Sequence, residues 1–230
     1  MNYDFSGLKV NFLGDSITYG HTPSGDPTGL ARGQQMFHPF PEQVKEILGL
    51  AEARNYGISG STIANRFPKR RGMCLRCLEM DPDADIVFVF GGTNDFNCLD
   101  ITPIGTPDDE GDQTFYGAYK MLCRNLIEKY PTSLILMATP LPRHDMYESK
   151  TGDKLEQYTS VIREICEQFG LICVDLFHKI GVSPLNPIHR ELYFPDGLHP
   201  TQRCVTERLA PCIAAAIAET YAGIRPLKFD

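Results

Sequence analysis

The sequence predicts an α/β fold, with a central, mainly parallel five-stranded sheet covered by helices on both faces. Three observations carry this reading. Short β-rich apolar runs recur along the chain, and two of them stop at glycine, as buried parallel strands do. Each run is separated from the next by a segment long enough for a helical crossover, which a parallel connection requires. In several of those segments apolar residues return at three and four positions, the period of an α-helix.

The first strand is expected at Lys9–Leu13, ended by Gly14, and the second at Glu52–Tyr56. The third covers Asp85–Phe90 and is closed by Gly91 and Gly92. A helix over Thr114–Tyr130 follows from Phe115, Tyr119, Leu122, Leu126 and Ile127, with Pro131 ending it. The fourth strand is Ser133–Ala138. A second helix, Leu155–Phe169, repeats the pattern with Tyr158, Ile162, Ile165 and Phe169, and Gly170 suits its C-terminal cap. The fifth strand is Leu171–Leu176. In the last helix, Gln202–Tyr221, the residues Val205, Leu209, Ile213 and Ile217 form one stripe, and Pro211 should kink or restart it. Tyr19–Phe40 and Leu99–Asp112 fit no element, and loops this long are usually functional or mobile. No repeat, low-complexity tract or linker divides the chain, so a single domain over residues 1–230 is expected.

Composition narrows the function. With 22 Lys+Arg against 29 Asp+Glu, the net charge of −7 repels a polyphosphate backbone, and nucleic acid is excluded as a partner. No apolar run approaches the ~18 residues that span a bilayer, so no membrane partner is expected. The opening residues lack a basic stretch ahead of an apolar one, which points to a cytoplasmic chain. Cys74, Cys77, Cys98, Cys123, Cys166, Cys173, Cys204 and Cys212 lie mostly in helix- or strand-like segments and read as buried free thiols. The pair Cys74/Cys77 lacks the second pair that would close a tetrahedral metal site, and no metal is expected.

Four blocks carry chemistry. Gly14-Asp15-Ser16-Ile17-Thr18 follows the first strand, and ligands of an open parallel sheet bind beyond its carboxyl edge. Ser16 is therefore placed as a nucleophile, although a serine there also serves as a helix cap. It is not a G-x-S-x-G elbow, because Thr18 stands at the second glycine. Asp196-Gly197-Leu198-His199-Pro200 supplies a base for the serine proton and an acceptor for the far imidazole nitrogen. Asn94, in Gly91-Gly92-Thr93-Asn94-Asp95, offers uncharged N–H donors of the kind an oxyanion needs. The block Asn55-Tyr56-Gly57-Ile58-Ser59-Gly60 can expose a backbone N–H at Gly60; alone, it would read as a plain turn.

Around these blocks, Asp15 and Asp95 are assigned to local hydrogen bonding within their own tight turns. His21, His38, His144, His178 and His189 have no acidic neighbour at a spacing that would poise them, with His21 and His38 placed as pocket lining. Arg143, beyond the fourth strand, falls on the same edge and is a candidate contact for a polar substrate, as is His38.

In their order, the four blocks resemble the SGNH hydrolases, the GDSL-type esterases and lipases. The likeness runs through GDSI at Gly14–Ile17, NYGISG, GGTND and DGLHP, and covers the chain from Val10 to about Ala218. It implies a flavodoxin-like three-layer α/β/α sandwich and a cofactor-free hydrolase acting on a small-molecule ester. By the same resemblance, Ser16 is the nucleophile, His199 the general base and then acid, and Asp196 the residue that orients the imidazole. The Ser16 N–H, the Gly60 N–H and the Asn94 side chain would form the oxyanion hole. Ile17 stands where the family name has Leu, a conservative change.

The substrate expected is a short-chain ester, such as an O-acetyl group on a carbohydrate or other polar alcohol, because both long loops are polar. The alternative is a lysophospholipase- or thioesterase-type enzyme for longer acyl chains. A rival of another class is a flavodoxin-like FMN-binding electron carrier, which leaves Asp196 and His199 without a task. A non-catalytic ligand-binding relative is the third reading, and the intact Ser, Gly, Asn and His set argues against it.

Overall fold

Side chains that alternate along the strands sort into two apolar sets, one for each face of the sheet. Val10, Phe12, Ile86, Phe88, Leu136 and Ala138 join one core, and Leu13, Val87, Val89, Ile135 and Met137 join the other. This period of two, in strands buried on both sides, is what a three-layer arrangement demands. The computed structural model describes residues 3–66, 71–97, 101–147 and 149–224, so the thiol reading for Cys98 lies outside the described residues.

The chain begins with strand β1 (Lys9–Gly14), the short helix α1 (Ser16–Tyr19), helix α2 (Phe40–Leu48) and strand β2 (Glu52–Gly57). Helix α3 (Met73–Arg76) leads to strand β3 (Ile86–Phe90), the short α4 (Thr93–Phe96) and the long α5 (Phe115–Lys129). Strand β4 (Leu134–Ala138), helix α6 (Leu155–Phe169) and strand β5 (Ile172–Val174) complete the sheet. Helices α7 (Leu176–Lys179), α8 (Pro187–Tyr193), α9 (Gln202–Cys204) and α10 (Ala210–Ile224) follow.

All strand pairs are parallel, in the order β2-β1-β3-β4-β5. Gly14 pairs with Gly57 on one side and Phe90 on the other, and Phe90 with Ala138, so the carboxyl ends of four strands come level. The reversal of strand order beside β1 opens the crevice that such sheets use for ligands. Helices α2 and α10 cover one face through Phe40, Val44, Ile213 and Ile217; α3, α5 and α6 cover the other through Met73, Leu122, Leu126, Ile162 and Ile165.

The edges differ from the apolar pattern expected of them. Strand β2 is half-buried and polar, and its Arg54 pairs with Glu52 and Asp81, a charge set that blunts an open edge. Strand β5 is only three residues long, because Asp175 caps α7 and draws Leu176 into that helix. The last helix is interrupted before Pro211 by a widened π turn over Val205–Leu209, in which the Ala210 N–H reaches the Val205 carbonyl, and α-helical turns resume at Ala210 with Pro211 second, in line with the expected restart. Among the described residues, no helix is long and apolar enough to cross a membrane.

Candidate active site

The first turn beyond β1 is shaped by what cannot fit there. A Cβ on Gly14 would lie 1.9 Å from Thr18 Oγ1 and 2.8 Å from the Phe90 carbonyl, so only glycine lets α1 fold back against β3. Asp15 caps α1 by accepting the Ile17 N–H at 2.9 Å, and Gly20, at φ 88°, closes it. With the cap supplied by Asp15, the Ser16 hydroxyl is released. It meets His199 Nε2 at 2.9 Å, in a site where both residues are more than nine-tenths buried.

The second turn fixes the imidazole. Asp196 Oδ2 lies 2.8 Å from His199 Nδ1, while Asp196 Oδ1 accepts the backbone N–H groups of Leu198 and His199 at 2.9 and 2.8 Å. Burial pushes the Asp196 carboxyl up, but the His199 bond and the two N–H donors outweigh it and hold the group below the usual carboxylate range. Gly197, at φ 81°, turns the chain between them, and its carbonyl accepts the His144 N–H at 2.8 Å.

The third and fourth turns are tied to each other by Asn94 on the Ser61 carbonyl, and to the first by Arg76 on Gly14 and Ser61. Gly60 has φ 75°, and neither its N–H nor that of Ser16 has an acceptor among the described residues. Asn94 Nδ2 donates to the Ser61 carbonyl at 2.9 Å, which spends one of its two protons and orients the amide. Asp95 departs from its assignment to its own turn. It reaches across to the Gly60 loop, accepting the N–H groups of Ile63 (2.8 Å) and Ala64 (3.1 Å), and also the Thr102 hydroxyl (3.0 Å). Burial pushes the carboxyl of Asp95 up to about 7 and that of Asp15 up to about 6.

Two buried arginines lock these loops, one against its sequence reading and one that had none. Arg143, placed as a substrate contact, turns its guanidinium to protein instead: Nη1 bonds the Thr93 carbonyl (2.9 Å), the Thr93 hydroxyl (3.1 Å) and the Asn97 carbonyl (3.3 Å), while Nε and Nη2 bond Asp145. It therefore sets α4, which carries Asn94. Arg76 bonds the carbonyls of Tyr56 and Gly14 and the Ser61 hydroxyl, joining the ends of β2 and β1. It went unnoticed inside Cys74-Leu75-Arg76-Cys77, a segment read for its cysteines. The signal was a cation on the face that Met73 and Cys77 bury.

The histidines also need correction. His38 Nε2 lies 3.1 Å from Glu46 in an exposed pair. His178 does have a poising acid: Asp175 Oδ2 lies 2.8 Å from its Nδ1, at the same three-residue spacing as Asp196 and His199. That second pair is exposed and its Nε2 faces Glu156 at 3.5 Å rather than a hydroxyl. His21 stacks on His199.

The long loops are pinned as well as polar. Asp26 accepts the Gln202 N–H, and the Gln202 side chain brackets the His38 backbone. In the acidic stretch, Glu110 pairs with Lys120 and Arg124, Asp109 with Thr106, and Asp112 with Asn65, so these carboxylates are spent on the fold. A groove of about 370 Å³ lies between Tyr130, Phe169 and Tyr221, at the amino end of the strands and away from Ser16. Another, of about 420 Å³, runs along Pro142, Phe177, His178 and His189.

Comparison with known proteins agrees with this fold. The model of the GDSL-like lipase/acylhydrolase family matches residues 12–204. One solved structure is 30% identical with a TM-score of 0.81, covering 94% of this chain and 99% of its own. A protein from Lactobacillus plantarum is 25% identical with a TM-score of 0.78, over 96% and 99%. A variant of an acetyl-xylooligosaccharide esterase from Geobacillus is 21% identical with a TM-score of 0.60, over 94% and 96%. A search of curated proteins returns no match. Fold and relatives together define an ester hydrolase. The chain belongs to the GDSL-like lipase/acylhydrolase family.

Proposed function

We propose that the chain is one catalytic domain, a serine esterase that removes short acyl groups, acetyl above all, from a polar alcohol such as a carbohydrate. The observation that carries the mechanism is the continuous chain from Ser16 Oγ to His199 Nε2 (2.9 Å) and from His199 Nδ1 to Asp196 (2.8 Å). Ser16 Oγ attacks the ester carbonyl carbon as its proton passes to His199 Nε2. Asp196, ionised, keeps Nδ1 protonated and offsets the imidazolium charge. The carbonyl oxygen becomes an oxyanion held by the N–H groups of Ser16 and Gly60 and the second amide proton of Asn94. His199 then returns the proton to the leaving alcohol, whose C–O bond breaks, and the acyl-Ser16 ester remains. Water, deprotonated by His199, repeats the attack and releases the acid.

The short-chain reading rests on the polar character of the two long loops. Neither of the two grooves described above is lined by Ser16, Asn94 or His199, so neither serves as an acyl channel to this hydroxyl. The carbohydrate part has support in the likeness of fold to the Geobacillus esterase. The acidic loop gives none, because its partners are Lys120, Arg124, Asn65 and Thr106.

A serine-directed fluorophosphonate should add one adduct, mapped to Ser16, and Ser16→Ala should abolish turnover. In a series of p-nitrophenyl esters, kcat/KM should peak at acetate or butyrate. A peak at decanoate or longer would favour the long-chain alternative and leave the mechanism standing, whereas an adduct elsewhere overturns the mechanism itself.

A further inference from the structure

His21 opens the long loop after α1, and its ring lies face to face with that of His199. The centroids are 4.2 Å apart and the planes 18° from parallel. Its backbone is tied to the reactive turn as well, since the His21 N–H donates to the Ser16 carbonyl at 2.9 Å. The ring nitrogens are the unusual part. Both are buried, and neither has a hydrogen-bond partner among the described residues. A histidine chosen for a hydrogen bond would not be left that way, because a buried orphan polar atom costs stability. What the ring does offer is its face.

The loop holds that face in place from three sides. Met36 donates to the Gly20 carbonyl, Thr22 to Gln34 and Gly33 to Thr22, which folds residues 20–36 back on themselves. The Asp26 carboxylate caps α9 at Gln202, and Gly25 packs near Pro195, so the loop and the Asp196 turn are fastened to each other. The His21 backbone therefore cannot move away from His199 without breaking these bonds.

Charge fixes the state of the ring. Burial and the neighbouring His199 push the His21 imidazole down to about 4, with Arg32 acting the same way and Asp196 opposing them. At working pH it is neutral, and a neutral π face stacked on an imidazole interacts best when that imidazole carries charge.

We propose that His21 is a positioning residue for the esterase reaction, its ring backing His199 so that the imidazole plane stays aimed at Ser16 and its π face stabilising the imidazolium. The proposal rests on the assignment of Ser16 and His199 as nucleophile and base. It goes beyond it by giving a function to a side chain outside the hydrogen-bonded chain of Ser16, His199 and Asp196. The stack matters in both tetrahedral intermediates, because in each of them His199 holds the proton taken from Ser16 or from water.

The test uses the full chain with three variants and two readouts, p-nitrophenyl acetate kinetics and the rate of fluorophosphonate labelling at Ser16. His21→Ala removes the face and should lower kcat and the labelling rate by about tenfold, with KM within about twofold. His21→Phe restores a face without the orphan nitrogens. It should recover both rates to within about threefold of the wild type and raise the melting temperature. His21→Leu keeps bulk without a π face; it should behave as His21→Ala does and replaces it if that variant does not fold. The proposal is overturned if His21→Ala reacts and labels like the wild type, if His21→Phe is as slow as His21→Ala, or if KM rises while labelling is unchanged. Absence of wild-type labelling at Ser16 overturns the underlying mechanism instead, and is read before any variant is compared.

Discussion

Replacing Arg143 with methionine separates a residue that holds the site from one that binds substrate. The side chain is 7% exposed and engages Thr93, Asn97 and Asp145, with its guanidinium also 5.5 Å over the Phe96 ring. Methionine keeps most of the stem volume and removes the charge. Breaking a buried ion pair by deleting one partner costs ~3–5 kcal/mol. Asp145 is 32% exposed and can recover water, which puts the expected loss near the lower end, ~3 kcal/mol. For a chain of this size that corresponds to a melting temperature lower by ~6–12 °C. The kinetic effect runs through Asn94. Deleting an oxyanion donor costs ~10²–10³ in kcat, so a donor displaced but present should cost roughly 10–10², with little change in KM. Thermal unfolding and steady-state kinetics on p-nitrophenyl acetate, well below the melting temperature, measure both. A KM that rises while kcat holds, or a melting temperature that does not move, refutes the positioning argument and returns Arg143 to the substrate.

Three further outcomes are expected. Asp196→Asn should fold normally by circular dichroism yet lose roughly 10⁴ in kcat, because an amide leaves the wrong imidazole tautomer facing Ser16. Gly14→Ala should cost roughly 3 kcal/mol in denaturant unfolding, since its Cβ would overlap Thr18 Oγ1, while Gly7→Ala, with open space around it, serves as the neutral control. Asp95, at about 7 against 3.8 unfolded, keeps a proton in the native state that the unfolded chain has lost, so its contribution to stability falls as pH rises through that window. Between pH 5 and 8 the wild type should therefore lose roughly 2–3 kcal/mol relative to Asp95→Asn. An unchanged difference would mean that Asp95 is ionised throughout. The variant is the proper reference because His21, pushed down to about 4, works in the opposite direction below its ordinary value.

Much of this architecture was readable from local patterns. Helix α6 matches its expected span because Leu155, Tyr158, Ile162 and Ile165 share one face and Gly170 adopts the left-handed cap. Strand ends at Gly14 and Gly91 were legible because glycine marks close backbone approach, and the site blocks follow those ends. What sequence could not resolve is which of two equivalent patterns meets a partner across the fold. Asp175 and His178 repeat the spacing and the backbone cap of Asp196 and His199, yet only in the second pair does the imidazole face a hydroxyl. Arg143 and Arg76 were illegible for the same reason: besides nearer partners, each bonds acceptors 46 to 62 positions away along the chain, at Thr93, Asn97 and Gly14. The stacking of His21 on His199 is likewise a property of topology, invisible to periodicity.

The hydroxyl and the imidazole that meet at 2.9 Å are 183 positions apart, on the first turn of the sheet and the last turn before its final helix. During synthesis, which delivers the amino end first at ~5–20 residues per second, Ser16 leaves the ribosome with no partner. A hydroxyl in that state is as inert as any surface serine, so an unfinished molecule carries no hydrolytic hazard for its surroundings. On the proposed mechanism, competence would appear only when the last segment docks against the first. Turnover of a chromogenic ester is therefore a timer for completion of the whole topology, sensitive to a late-docking defect that the helical signal of the earlier segments would conceal.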